Sequence, residues 1–269
     1  MTVISQIEEV MGQPYGVAPK HVNNTYLNRY LFFLSKNGYS LKNIISTGFF
    51  YADIYKGHSG FYEAAHHTVF TRDSSHRADR FTKLHEYTHG YNSQRNGNFM
   101  KERTFERLNI AIHGTPAEFE AMTIHLALDE GICDYTAAQV ERLEKARGRD
   151  PKELFFYRRE AQLFSRLRRI SKKERHRLDL LDFSKKDTAF IPKLGEVALK
   201  LQKAVIAKDS SAFTKEELDL TSMAKYILGY IAARAIFKDE MTGIGKKAEI
   251  LLKRPPRTFK GLEELAFYS

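Results

Sequence analysis

Residues 83–91, KLHEYTHGY, restrict the possible folds of this chain more than any other stretch. They place His85 and His89 four positions apart, with Glu86 directly after the first histidine. Residues i and i+4 lie on one face of a helix, one turn apart, so both imidazoles can point at one cation. The pattern therefore predicts a helix with two histidine ligands on one face and a carboxylate beside them.

Two interpretations of this helix remain open at this point. In the H-E-x-x-H pattern, two neutral imidazoles bind zinc and the glutamate accepts a proton from water as the water attacks a carbonyl. The alternative is a surface helix whose histidines are incidental, since the chain contains 10 histidines. A third ligand at a suitable place in the chain is needed to decide between them.

The sequence offers such a ligand downstream of the histidines. In LALDEGICDYTA, residues 126–137, Glu130 begins a predicted helix and Asp134 follows one turn later on the same face. The glutamate can bind the metal while the aspartate accepts a hydrogen bond from the other ring nitrogen of a ligand histidine. The metzincin extension is excluded, because it requires glycine and histidine where this chain has Asn92 and Arg95.

Glu118 and Glu120, in PAEFEA, are rival third ligands that lie nearer to the histidines in sequence. Neither has an acidic residue four positions later, because those positions are Met122 and Ile124. Glu118 also has an ordinary role in the first turn of its helix. Glu130 is therefore the preferred third ligand.

The HEYTH motif followed by DEGICDY resembles the gluzincin group of zinc metallopeptidases, thermolysin-like enzymes whose third zinc ligand is a glutamate on a second helix. The resemblance covers residues 60–137. It implies that His85, His89 and Glu130 bind zinc and that Glu86 is the general base. It also implies that Asp134 orients His85.

Two details of the same region bear on the resemblance. Cys133 stands where many gluzincins have alanine, which exchanges one small residue for another. The stretch GFYEAAHHTVF occupies the place of the family's edge strand, which binds extended substrate by backbone pairing. His66 and His67 are adjacent in that stretch, so on a strand they point to opposite faces and at most one can face the cleft.

A tyrosine pair near the C-terminal end is the candidate for stabilising the oxyanion. Hydrolysis through a tetrahedral intermediate usually needs a hydrogen-bond donor opposite the base. In KYILGYIAARAIF, residues 225–237, Tyr226 and Tyr230 share a helical face and Gly229 allows close approach. The helix resembles Y-x-x-G-Y helices of some gluzincin-like proteins. The alternative is two core tyrosines and a packing glycine.

The remaining candidates are given structural roles. His113 and His125 are predicted to be surface or core residues, and Cys133 a small buried residue on the ligand helix. A single cysteine excludes a disulfide framework and any Cys-rich zinc module, and it fits a reducing compartment. With no signal-peptide pattern and no apolar run approaching ~20 residues, a cytoplasmic location is expected.

The net charge of +10 raises the question of an anionic partner. Much of the excess lies in residues 158–177, RREAQLFSRLRRISKKERHR, where apolar residues recur at helical spacing. The stretch is predicted to be the solvated face of a packed helix. A nucleic-acid-binding surface is the less favoured alternative.

The predicted fold is α+β and predominantly α: a zincin-like arrangement with a small N-terminal sheet and the active-site helix, followed by an all-α portion. Residues 1–147 form the metal-binding domain and residues 148–269 a helical subdomain that completes the cleft. Strands are predicted within residues 44–71. Helices are predicted at 21–37, 76–89, 100–112, 115–128, 130–147, 152–178, 189–208, 214–238 and 243–253.

The predicted function is zinc-dependent hydrolysis of peptide bonds, with a peptide or protein as substrate. The alternative is a basic nucleic-acid-associated or interaction protein on the same scaffold, in which zinc is structural or regulatory. An open coordination position favours catalysis, and a closed site with four ligands favours structure.

Overall fold

The computed structural model describes residues 1–23, 36, 60–64, 67–71, 78–96, 114–149, 226, 228–238 and 240–268. Most of these residues are helical and a small sheet accompanies them, so the chain is α+β and predominantly α, as predicted. In chain order the elements are α1 (Val3–Met11), β1 (Lys20–Asn23), β2 (Gly60–Glu63), β3 (Thr68–Thr71), α2 (Ala78–Arg95), α3 (Pro116–Ala146), the helical segment 228–237, α4 (Gly245–Lys253) and α5 (Phe259–Tyr268).

The three strands form one mixed sheet in the order β1-β3-β2. β1 runs parallel to β3, with Lys20 opposite Thr68, and β2 runs antiparallel to β3, with Gly60 opposite Thr71. Residues 60–71 are therefore a hairpin and not the predicted single strand. The strand predicted within residues 44–55 lies outside the described residues.

His67 closes the turn of this hairpin with a φ of 48°, in the left-handed region that residues other than glycine rarely adopt. Its ring is held on both sides, because Nε2 donates to the Val17 carbonyl at 2.9 Å and Nδ1 accepts from the Tyr62 hydroxyl at 2.7 Å. The prediction that His66 and His67 share a strand is wrong for His67, which lies in the turn. His66 lies outside the described residues.

The predicted helix 21–37 is wrong at its start. Residues 20–23 pair with β3, and His21 Nε2 is hydrogen-bonded to Thr71 Oγ1 at 2.8 Å, so sheet pairing overrides the helical pattern there. Of the rest of that range beyond residue 23, the structure describes only Lys36, which is helical.

Helix α2 is longer than the predicted helix 76–89 and passes through Gly90, which was expected to end it. A Cβ on Gly90 would lie 2.6 Å from the Tyr15 hydroxyl. Gly90 is therefore a packing residue on the helix surface and not a C-terminal cap. Tyr15 reaches further to donate a hydrogen bond to the Tyr87 carbonyl.

Helix α3 joins the two helices predicted at 115–128 and 130–147 into one. Its predicted start is confirmed: the Thr115 side chain accepts from the Glu118 backbone, and the Glu118 carboxylate accepts from the Thr115 backbone. Glu130 consequently lies in the middle of a continuous helix, where its direction is fixed by the turns on both sides.

The C-terminal helices agree with the sequence pattern in part. Helix α4 confirms the prediction at 243–253 and ends before Pro255, and the described part of 214–238 is helical. Helices α1 and α5 were not predicted, although Thr2 and Gly12 are ordinary capping residues for α1. The helices predicted at 100–112, 152–178 and 189–208 lie outside the described residues.

One hydrophobic core joins α1, α2, α3, the segment 228–237, α4 and α5. Its members lie on both sides of the predicted boundary at residue 147, and that boundary stays a prediction. The largest fully buried core side chains include Ile7, Tyr15, Leu84, Tyr91, Leu128, Tyr135 and Phe237. Within the described parts of the chain, no helix combines the length and apolarity needed to cross a bilayer.

Candidate metal centre

The two histidines of α2 and Glu130 of α3 meet at one point. His85 Nε2 lies 3.1 Å from Glu130 Oε2 and 3.1 Å from His89 Nε2. His89 Nε2 lies 3.5 Å from the same carboxylate oxygen. The two imidazoles are about nine-tenths buried, with 8% and 10% of their side-chain surface exposed. The helical spacing and the packing of α2 against α3 thus bring all three sequence-predicted ligands together.

These three atoms fit a metal ion. A tetrahedral zinc with nitrogen and oxygen ligands at ~2.0–2.1 Å holds its ligand atoms about 3.3 Å apart. The observed separations of 3.1, 3.1 and 3.5 Å bracket that value. Three lone-pair atoms facing one another in a buried site are unfavourable unless protons or a cation lie between them. The cluster could therefore hold a metal ion.

The other ring nitrogen of each histidine is hydrogen-bonded to a carboxylate of α3. His85 Nδ1 lies 2.8 Å from Asp134 Oδ1, and His89 Nδ1 lies 2.9 Å from Asp129 Oδ2. A carboxylate accepts only, so each Nδ1 carries the hydrogen and the Nε2 lone pair of the neutral ring faces the cluster. This is the tautomer that metal binding through Nε2 requires.

The carboxylates around the rings favour positive charge at the cluster. Burial lowers the pKa of His85, but the charge and hydrogen bond of Asp134 and the hydrogen bond with Glu130 raise it by more, to about 9. Burial also lowers the pKa of His89, whereas the Cys133 sulfur and the Asp129 carboxylate hold it well above its ordinary value. An environment that favours a protonated histidine also favours a cation in the proton's place.

Asp129 is a site residue that was not predicted from the sequence. It directly precedes Glu130, so on α3 it points about 100° away, toward the second histidine. Its carboxylate also accepts from Asn92 Nδ2 at 3.0 Å, so Asn92 fixes Asp129 and Asp129 fixes His89. The signal for it in the sequence is the acidic pair at 129–130.

Glu86 lies beside the cluster and outside the group of three ligand atoms. It is 8% exposed, and its charge raises the pKa of His85. Strand β2 approaches it closely, because a Cβ on Gly60 would lie 3.3 Å from Glu86 Cγ and 2.7 Å from Thr82 Cγ2. A glycine at position 60 therefore lets the strand pass over this part of α2.

The structure distinguishes the two candidate tyrosines. The Tyr226 ring centroid lies 6.2 Å from that of His85, beside the cluster. Tyr230 is 3% exposed and packs against Tyr135 in the core, with ring centroids 6.5 Å apart. Gly229 lies in backbone contact with α3, as the predicted close approach requires.

The rival ligands Glu118 and Glu120 have other partners. The Glu118 carboxylate caps the start of α3. The Glu120 carboxylate accepts from the backbone N–H of Phe259 at 2.6 Å and so caps the start of α5. Each has a structural role at a helix N-terminus.

The remaining candidate residues of the sequence fall into three groups. His125 and Cys133 are buried on α3. His67 belongs to the hairpin turn. His113 and the basic stretch 158–177 lie outside the described residues.

Comparison with known proteins found no matching family model, no similar curated protein and no similar solved structure.

Proposed function

We propose that this chain is a zinc-dependent metallopeptidase with a zincin-like fold, in which His85, His89 and Glu130 hold the ion. The convergence of their three ligand atoms from two packed helices supports this most strongly. Two of the three donors are imidazole nitrogens, which favours zinc over magnesium or calcium. When bound, zinc supplies a Lewis acid that polarises a carbonyl and lowers the pKa of water.

Glu86 is the proposed general base. It accepts the proton of the attacking water and returns it to the leaving amine. Its position directly after His85 on α2, buried and beside the cluster, supports this role. Asp134 and Asp129 are positioning residues that hold the two imidazoles in one tautomer.

Tyr226 is the proposed hydrogen-bond donor to the substrate carbonyl as negative charge develops on it. The contact of its ring with His85 supports this assignment. Tyr230, the second sequence candidate, is less well supported because its ring packs against Tyr135. A contribution of Tyr230 through the packing of its helix is the simpler role.

The number of ligands favours catalysis over a structural zinc. Structural zinc sites are usually closed by four protein ligands, whereas catalytic sites keep a position open. Among the residues that the structure describes, three ligand atoms converge at this cluster. On this proposal residues 1–147 bind the metal, residues 148–269 complete the cleft, and the substrate is a cytoplasmic peptide or protein.

The experiment compares zinc content and peptidase activity of wild type, Glu86→Gln and Glu130→Ala. We expect Glu86→Gln to keep zinc and lose about 10²–10⁴-fold in kcat. We expect Glu130→Ala to lose both zinc and activity. Glu118→Gln is the matched control, since it removes another carboxylate of the same helix and should change neither.

Three results would contradict the proposal. Unchanged activity in Glu86→Gln would exclude this residue as the base. Full zinc content with unchanged activity in Glu130→Ala would exclude it as a ligand. Loss of zinc in Glu118→Gln with zinc retained in Glu130→Ala would show that Glu118, and not Glu130, is the third ligand.

A further inference from the structure

A second group of metal-binding side chains adjoins the first. His89, Asp129 and Cys133 each offer one ligand atom, these atoms lie within 4.8 Å of one another, and all three residues are buried. Asn92 joins the group, because its Nδ2 donates to Asp129 Oδ1 at 3.0 Å and lies 3.7 Å from Cys133 Sγ. The proposed peptidase chemistry uses His89 through Nε2 and has no role for the Cys133 sulfur.

We propose that His89, Asp129 and Cys133 form a second cation position, which takes a thiophilic divalent ion such as Cd²⁺ or Zn²⁺. The two positions share His89, which faces the first with Nε2 and the second with Nδ1. A thiolate donor selects soft and borderline ions over magnesium or calcium. The inference concerns metal binding alone and does not depend on peptide hydrolysis.

The geometry needs little change to hold such an ion. His89 Nδ1 and Asp129 Oδ2 are already 2.9 Å apart. Tetrahedral zinc with sulfur at ~2.3 Å and nitrogen or oxygen at ~2.0–2.1 Å separates sulfur from the other ligands by about 3.6 Å. The ligand atoms of the three residues already lie within 4.8 Å of one another, which exceeds that separation by no more than roughly 1.2 Å.

Binding at this position exchanges two protons for one ion. The Cys133 thiol loses its proton, and His89 loses the Nδ1 proton that it donates to Asp129. Both protons pass to solvent, the ion bonds to Sγ, Nδ1 and Oδ2, and no electron is transferred. The first position requires no thiol ionisation, so we expect it to fill before the second.

The test is a titration of the metal-stripped full chain with Cd²⁺, followed by near-ultraviolet sulfur-to-metal charge-transfer absorption and by bound-metal stoichiometry. The chain contains one cysteine, so any such band reports on Cys133 alone. We expect two equivalents to bind, with the band accompanying the second. In Cys133→Ala we expect one equivalent and no band.

Each result of the titration either supports or overturns the second cation position. A band at either equivalent that disappears in Cys133→Ala supports the position, with circular dichroism used to verify that the variant is folded. Binding of one equivalent without a band in wild type overturns it, and this result needs no variant. Two equivalents that persist in Cys133→Ala also overturn it. Neither result bears on Glu86→Gln activity, so failure here is distinct from failure of the peptidase proposal.

Discussion

Gly131 of α3 and Gly229 of the segment 228–237 lie in direct backbone contact. A Cβ on Gly131 would stand 2.0 Å from the carbonyl carbon and oxygen of Gly229, and a Cβ on Gly229 would stand 1.7 Å from the Ala127 carbonyl oxygen. Gly131 directly follows Glu130, and Tyr226 precedes Gly229 by three residues. The distance between the two helices at this contact therefore determines how closely the Tyr226 ring approaches the candidate ligands.

Gly131→Ala should destabilise the protein. The added methyl group collides with backbone, which cannot rotate away as a side chain can, so the helices must separate. We expect the free energy of unfolding to fall by at least ~1–3 kcal/mol, as for overpacked cores. Chemical denaturation measures this. Gly261→Ala is the control, because its nearest atom is Thr258 Oγ1 at 3.2 Å and a helical alanine gains up to about 1 kcal/mol. Equal stabilities of Gly131→Ala and Gly261→Ala would contradict the close backbone contact between Gly131 and Gly229.

Tyr226→Phe and Tyr230→Phe should differ in activity. Both changes remove one hydroxyl, but the Tyr226 ring lies beside His85, whereas the Tyr230 ring packs against Tyr135. We expect Tyr226→Phe to lower kcat by about 10²–10³-fold, as for loss of one oxyanion donor, with zinc content unchanged. Tyr230→Phe should leave kcat within a few-fold of wild type. A larger loss of kcat in Tyr230→Phe than in Tyr226→Phe would assign the oxyanion role to Tyr230 and contradict the proposal.

Asp129→Asn and Asp134→Asn should weaken zinc binding at the first position, His85, His89 and Glu130, without removing any of its three ligands. Each amide can still approach a histidine, but it no longer carries the charge that stabilises the Nδ1–H tautomer. We expect each to lower zinc affinity about 10–100-fold. Competition with a chromophoric chelator measures the affinity. Wild-type affinity in both variants would show that these carboxylates do not orient the histidines.

The gap in stability between zinc-loaded and metal-stripped protein should widen as the pH rises from 6.5 to 9. The pKa of His85 is raised from 6.5 to about 9 in the folded chain. Its protonation therefore stabilises the metal-free fold fully below pH 6.5, and this contribution is lost as the pH rises through about 9. In the zinc-loaded protein the ion takes the place of this proton, so the loaded protein does not lose this contribution to its stability as the pH rises. Thermal unfolding with zinc and with chelator measures the gap. A gap that narrows over this range would contradict the raised pKa.

Glu144 joins three parts of the fold away from the candidate site. It accepts from Gln6 Nε2 at 2.7 Å and from Arg149 at 2.8 Å, and both of its oxygens accept from Arg80. Burial raises the pKa of Glu144, but the hydrogen bonds from Arg80 and Arg149 outweigh burial and lower it below its ordinary value. A lowered pKa contributes stability above the unfolded value of 4.5 and loses it as the pH falls through the folded value.

Glu144→Gln should therefore destabilise the protein at pH 7 and much less at pH 3. Because Arg149 is partly exposed, we expect a loss of only about 1–2 kcal/mol at pH 7. Urea denaturation at both pH values measures it. Glu249→Gln is the control, since its i,i+4 pair with Lys253 is exposed and should matter by about 0.5 kcal/mol or less. Equal losses at both pH values would exclude charge as the cause.

The residues of the cluster could be named from the sequence because their spacing is helical. On any helix His85 and His89 share a face, and Glu130 and Asp134 share another, so two local patterns were enough to name four residues. That α2 packs against α3 does not follow from either pattern. Asp129 and Asn92 were missed for this reason, since their contact depends on the relative rotation of the two helices.

The errors in the fold arise from glycines and from short strands. Gly90 has the sequence appearance of a helix terminator, but Tyr15 packs against it from a distant part of the chain. The apolar run at 60–71 gives no turn signal, because His67 adopts a positive φ through ring hydrogen bonds that only the fold supplies. Residues 21–23 became a strand because β3 was available as a partner.

Among the residues that the structure describes, three carboxylates from one stretch of α3, Asp129 to Asp134, are hydrogen-bonded to the two histidines of one turn of α2. Within the described part of the chain, the centre is thus built on two helices, α2 and α3, and the distances between its ligand atoms depend on how these helices are placed. A shift of one helix along its axis by a single residue, about 1.5 Å, would break all of these contacts at once. We therefore expect removal of the metal, mutation of the core and mechanical strain on α3 each to change the relative position of α2 and α3. Metal occupancy should then report on the alignment of these two helices, the two longest that the structure describes.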